Sequence, residues 1–228
     1  MTRIRFAAAA GLLLLAACTQ AEPEDATARY AREGAAPLVV KAAANGDARV
    51  EAGDTVYLRS GGRDYAVLRD AKGAFAARAE DLVAISAERA KAGGMPTGPR
   101  VQPEYAVSEG GAETVAGIPG TIWKVHPREV PSLASAEAVV SGDPALAPLG
   151  KALALQARVT IAANAAAMGG LGNLEKAMIA LFDKGAVLRF GAVLRLERID
   201  RAPIAASEFA VPRPVLDRAA LERRLGGS

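Results

Sequence analysis

The chain has 228 residues with 28 Lys+Arg, 25 Asp+Glu and a formal net charge of +3, too weak a balance to argue for nucleic acid or a polybasic membrane patch. A single cysteine and a single histidine exclude a disulfide framework and a multi-ligand zinc site. With five Phe, four Tyr and one Trp, the core is expected to be mostly Val, Leu, Ile and Ala, in a unit long enough to bury one.

The N-terminal MTRIRFAAAAGLLLLAACTQ sets Arg3 and Arg5 before an apolar run from Phe6 to Leu15. That run is too short to span a bilayer and has the build of a secretory leader. Leu15-Ala16-Ala17-Cys18 resembles the bacterial lipoprotein signal, the lipobox, where small residues let the peptidase reach the backbone ahead of the cysteine. The resemblance implies a leader over residues 1–17, acyl chains on Cys18, and a membrane partner engaged through those chains. At about 0.8 kcal/mol per buried methylene, two or more chains hold for long times. An ordinary cleaved leader with an incidental cysteine is the alternative. Cleavage also removes Arg3 and Arg5 and leaves the mature chain nearly neutral. Thr19 stands where an aspartate commonly retains such proteins in the inner membrane. The expected location is therefore the outer membrane, facing the periplasm. Residues 18–27 then form the lipidated cysteine and a polar tether, and residues 28–228 a single domain.

From Pro37 onward, turn signals at Asn45-Gly46, Gly53-Asp54, Gly61-Gly62 and Lys72-Gly73 separate LVVKAA, ARVEA, TVYLRS, DYAVLRD and AFAARAE. The spacing predicts an antiparallel meander of about five strands, with Val56 and Leu58 on one face and Tyr57 and Arg59 on the other. Residues 80–91 suit a short helix, closed by Gly93-Gly94-Met95-Pro96, and the stretch to Pro103 reads as an exposed loop. Strands resume in EYAVSE, turn at Gly110-Gly111, continue in ETVAG, turn again at Ile118-Pro119-Gly120 and end in TIWKVH. Asp143-Pro144 is a helix start, followed by Leu146, Leu149, Leu153, Ala157, Ile161, Asn164 and Met168 at helical spacing. A second helix opens near Asn173 and closes at Lys184-Gly185, with Leu174, Ala177, Met178, Leu181 and Phe182 on one stripe. AVLRFGAVLRLERID returns to strand, with a bulge or turn at Gly191, and residues 216–225 suggest a last helix. The order of elements predicts an α+β fold.

The residues offer little catalytic chemistry. His126, beside Pro127, lacks a nucleophile elbow and reads as a strand-end residue. Gly169-Gly170-Leu171-Gly172 lacks a lysine-serine pair and reads as a connector between helices. Arg189, Arg195, Arg198 and Arg201 are interleaved with Glu197 and Asp200, the pattern of a solvated, ion-paired strand face. No catalytic residue, no metal and no cofactor is expected; the chain is not read as an enzyme.

GGAETVAGIPGTIWKV (110–125), with Lys184-Gly185, LRFGAVLRLERI and Phe209-Ala210-Val211-Pro212, resembles an uncharacterised family of bacterial exported domains. Those domains are similar in layout to the Lol-type lipoprotein carriers. The resemblance implies a curved antiparallel sheet, a half-open barrel, with helices packed on or inserted against its concave face, and a cavity that shelters acyl chains. Phe75, Trp123, Met178, Leu181, Phe182 and Phe190 are the candidate cavity-lining residues, since adaptable methionine and aromatic side chains suit an apolar ligand. The expected partner is a hydrophobic small molecule, a lipid or acyl chain, or another lipoprotein. The alternative is a structural or sensory module that binds another envelope protein through a sheet edge or the 92–103 loop.

Overall fold

Alternation begins earlier than the first expected turn. The computed structural model describes residues 22–93, 104–129, 136–167 and 173–226. Its first strand, β1 (Ala26–Arg32), buries Ala26, Ala28 and Tyr30 on one face. The meander continues through β2 (Leu38–Ala42), β3 (Ala48–Ala52), β4 (Thr55–Ser60), β5 (Arg63–Asp70) and β6 (Gly73–Arg78), each antiparallel to the one before. Helix α1 (Ala79–Ala92) follows directly, with Glu80 and Asp81 in its first turn and Arg89 and Lys91 in its last, the charge order the helix dipole favours.

The second half is another meander. Strands β7 (Tyr105–Val115) and β8 (Ile118–Pro127) form one long hairpin, followed by β9 (Ala136–Ser141). The expected turns at 110–111 and 118–120 are not turns. The chain reverses at Ala116-Gly117, where φ is 50° and 79°, as a two-residue hairpin with both central residues left-handed requires. Gly110 and Gly111 instead sit in a register shift between Glu109 and Ala112, and Pro119 and Gly120 lie inside β8.

Asp143 starts the helical segment as its sequence requires. Its side chain accepts from Ala145 N at 3.0 Å, Pro144 occupies the first position, and one short 3-10 turn leads into α2 (Ala147–Ala167). Then come α3 (Leu174–Phe182), β10 (Ala186–Phe190), a reversal at Gly191, β11 (Leu194–Asp200), the short β12 (Val215–Leu216) and α4 (Arg218–Gly226).

These strands form one curved, unclosed sheet in the order β12-β6-β5-β4-β3-β2-β1-β11-β10-β9-β8-β7. The two meanders join through β1 and β11, and only the β12–β6 pair is parallel. Twelve strands and four helices among the described residues define an α+β fold with an open half-barrel sheet.

Side-chain alternation sorts the sheet into two faces. One carries Tyr30, Val40, Val50, Ala138, Val140 and Val187, packed with Leu146, Leu149 and Leu153 from the α2 segment and Leu181 and Phe182 of α3. On the same face Tyr57 meets Thr160 of α2, with the two oxygens 3.3 Å apart. Phe75 and Ala77 pack there with Ile85 of α1 and Leu221 of α4. The other face buries Leu58 and Ala43 under Phe209, and Lys41 reaches Glu208 at 2.6 Å. The tip of the β7–β8 hairpin folds over this second face. Glu113 of β7 accepts from Arg189 of β10 at 2.6 Å, although three strand gaps would separate them by about 14 Å in a flat sheet. The fold-over buries Val115, Val139 and Leu188 and leaves no room for a side chain at Gly120, whose Cβ would lie 2.7 Å from Val139 Cγ1.

Candidate functional site

The polar groups of the sheet are mostly committed to each other. Arg189 donates to both Glu113 and Glu137 at 2.6 Å, and this raises the Arg189 pKa and lowers that of Glu113. Of the two arginines of β11, Arg198 pairs with the interleaved Asp200 at 3.4 Å and Arg195 lies 3.8 Å from Glu113 of β7, while Glu197 pairs with Arg29 of β1 at 3.0 Å and Arg201, just past β11, with Asp143 at 3.1 Å. Asp25, expected to be a solvated tether residue, accepts from the backbone N–H groups of Ala44 and Ile204, both at 2.8 Å. Burial pushes the Tyr30 hydroxyl well above its usual range, and it donates to Val187 O at 2.9 Å. His126 Nδ1 lies 3.4 Å from Pro127 O. Among the described residues no group of three His, Cys, Asp or Glu could hold a metal, and no helix is long and apolar enough to cross a membrane.

An apolar-walled hollow opens beside the helices. It lies between α2, α3 and the sheet ends that carry the β1–β2 and β10–β11 turns, with a volume of about 440 Å³. Two helices build its walls by simple periodicity. Leu153, Ala157 and Ile161 recur every four residues along α2, and Met178 and Phe182 do so along α3. Leu38, Phe190 and Leu194 close the sheet side, and Val193, 56% exposed, stands at the rim. Arg32, Glu33, Gln156 and Thr160 supply the polar lining. The position of α3 is fixed at its start, where Asn173 Oδ1 accepts from Tyr105 N at 2.6 Å and Nδ2 donates to Tyr105 O at 3.1 Å. Two other hollows, of about 500 and 580 Å³, also have apolar walls, with Ala79, Val83, Val159 and Ala162 at the first and Ile179 and Ala180 at the second, but Arg158 and Glu175 stand at both, with Asp64 and Glu80 or Lys176 and Asp183 beside them.

Of the six residues singled out from sequence, Met178, Phe182 and Phe190 meet at this cavity. Leu181, from the same helix stripe, is fully buried in the core instead. Trp123 packs at the core margin with Lys184 Nζ 3.7 Å from its ring centroid. Phe75 belongs to the separate cluster under α4, with the Arg224 guanidinium 4.3 Å above its ring, because β6 lies at the far side of the sheet from β10. Leu188, two residues before Phe190, is turned to the other face by a register shift between Val187 and Arg189. Cys18, Met168, residues 169–172 and most of the 92–103 loop lie outside the described residues. The apolar lining residues of α2 were visible as a stripe in the sequence; Arg32, Leu38 and Val193 gave no local signal, since only the pairing of β1 with both β2 and β11 brings them together.

No known protein family, curated protein or solved structure matches the chain.

Proposed function

We propose that the protein is a lipid-anchored envelope lipoprotein that holds a hydrophobic ligand, an acyl chain or lipid, in the cavity between α2, α3 and the sheet, and that it performs no catalysis. In this reading the helices lie against the concave side of the half-barrel, as the likeness to Lol-type carriers implies, and Cys18 carries the anchor in the outer membrane, facing the periplasm. The observation that carries it is the apolar hollow of about 440 Å³, within the roughly 300–1,000 Å³ typical of small-molecule sites. The chain enters the fold near Asp25, at the opposite end of β1 from the cavity mouth at Arg32. Along the strand the two ends are about 20 Å apart.

Burying about ten methylenes contributes about 8 kcal/mol before ordering costs, which sets micromolar affinity as the upper range. The test is a Cys18→Ala domain made without its leader and purified without detergent. Lipid extraction with mass spectrometry is expected to find a co-purifying acyl compound, and a fluorescent fatty acid to bind at one site. Ala157→Trp, which fills the cavity from α2, is expected to abolish both at an unchanged melting temperature. Repeated absence of lipid together with no fatty-acid binding would refute the reading.

A further inference from the structure

We propose that the cavity ligand is a single-chain amphiphile with an anionic head, and that Arg32 holds that head at the mouth. This rests on the cavity taking an apolar ligand at all. Arg32 is the last residue of β1 and pairs across the sheet with Leu194 of β11, whose side chain lines the cavity, so alternation turns Arg32 toward the same space. Its side chain is half-buried and makes no ion pair or hydrogen bond among the described residues.

That isolation is specific. Arg63, Arg69, Arg213 and Arg223 also lack partners among the described residues, but all four are exposed to water. The half-buried arginines at 49, 59, 78, 189 and 224 are each paired with a carboxylate. A guanidinium drawn partly out of water gains from an anion that accepts two parallel N–H bonds, the geometry a carboxylate or phosphate offers. Across the mouth on α2, the half-buried Gln156 amide is likewise without a side-chain partner and can donate to the same head. Glu33 borders the mouth too, but it lies exposed in the turn and makes no bond to Arg32. The volume of about 440 Å³, near the low end of ligand sites, suits one chain.

The test titrates the Cys18→Ala domain with dodecanoate, dodecyl phosphate and dodecanol, in the parent and with Arg32→Gln or Arg32→Lys. The anionic ligands are expected to bind the parent about tenfold tighter than the alcohol, the size of one charge-assisted contact. Arg32→Gln should erase that preference, weakening the two anions about tenfold more than dodecanol, and leave the melting temperature unchanged, since Arg32 holds no other group among the described residues. Arg32→Lys should restore part of it. Whichever of the two anions binds tighter identifies the head as carboxylate or phosphate, and either order supports the proposal. Equal binding of all three ligands, unaffected by Arg32→Gln, would overturn the role of Arg32 and leave the cavity reading standing. No binding of any ligand would overturn both.

Discussion

Replacing Gly150 by alanine puts a methyl group where α2 meets the turn after α3. A Cβ there would overlap the Gly185 carbonyl oxygen and lie 2.7 Å from Phe182 O. Both obstacles are backbone, so neither can rotate away. Alanine gains about 1 kcal/mol of helix propensity over glycine, which opposes the clash. Relief requires α2 to retreat, and that loosens Leu149 and Leu153, which are 0% and 3% exposed. Overpacking and the resulting voids cost about 3–5 kcal/mol, leaving a net loss of about 3 kcal/mol. For a domain of this size that lowers the melting temperature by about 6–12 °C. Thermal and urea unfolding of the Cys18→Ala domain would measure it, with Gly142→Ala as control, since nothing lies within 4 Å of a Cβ there. The retreat also widens the cavity wall formed by Leu153, Ala157 and Ile161, so weaker fatty-acid binding should accompany the lost stability. A Gly150→Ala protein as stable as its parent would refute the close docking of α2 on that turn.

Two further perturbations probe the sheet and its edge. Tyr30→Phe removes the buried hydroxyl that donates to Val187 O; a loss of about 1–2 kcal/mol is expected in urea unfolding, and no measurable change would count against it. Asp70 holds Arg224 in two hydrogen bonds, and mainly for that reason its carboxyl is depressed to about 2. A depressed acid contributes stability above its unfolded pKa, about 3.9, and loses it as pH falls through its folded value. The stability difference between the parent and Asp70→Asn should therefore shrink between about pH 4 and pH 2, and a difference constant over that range would contradict the pairing.

The second through sixth strands could be read because turn pairs such as Asn45-Gly46 and Gly61-Gly62 punctuate short alternating runs at regular spacing. Asp143-Pro144 likewise announced its helix by a cap that the structure uses. β1 could not be read in the same way: ATARYAR alternates, but its inward residues are two alanines and one tyrosine, and alanine carries no strand preference. The β7–β8 hairpin misled because a Gly-Gly pair serves equally as a turn or as a bend within a strand, and only pairing partners decide between them. Phe75 and Phe190 looked equivalent in composition. The order of strands separates them, and strand order is set by long-range pairing between β1 and β11. Arg32 carried no signal for the same reason.

The most direct measurement is a crystal structure of the Cys18→Ala domain grown with 12-bromododecanoate, with the bromine located by its anomalous signal. The account predicts a single strong peak among Met178, Phe182 and Phe190, with the carboxylate at Arg32. A cavity filled by the protein's own side chains, or bromine bound only elsewhere, would contradict it.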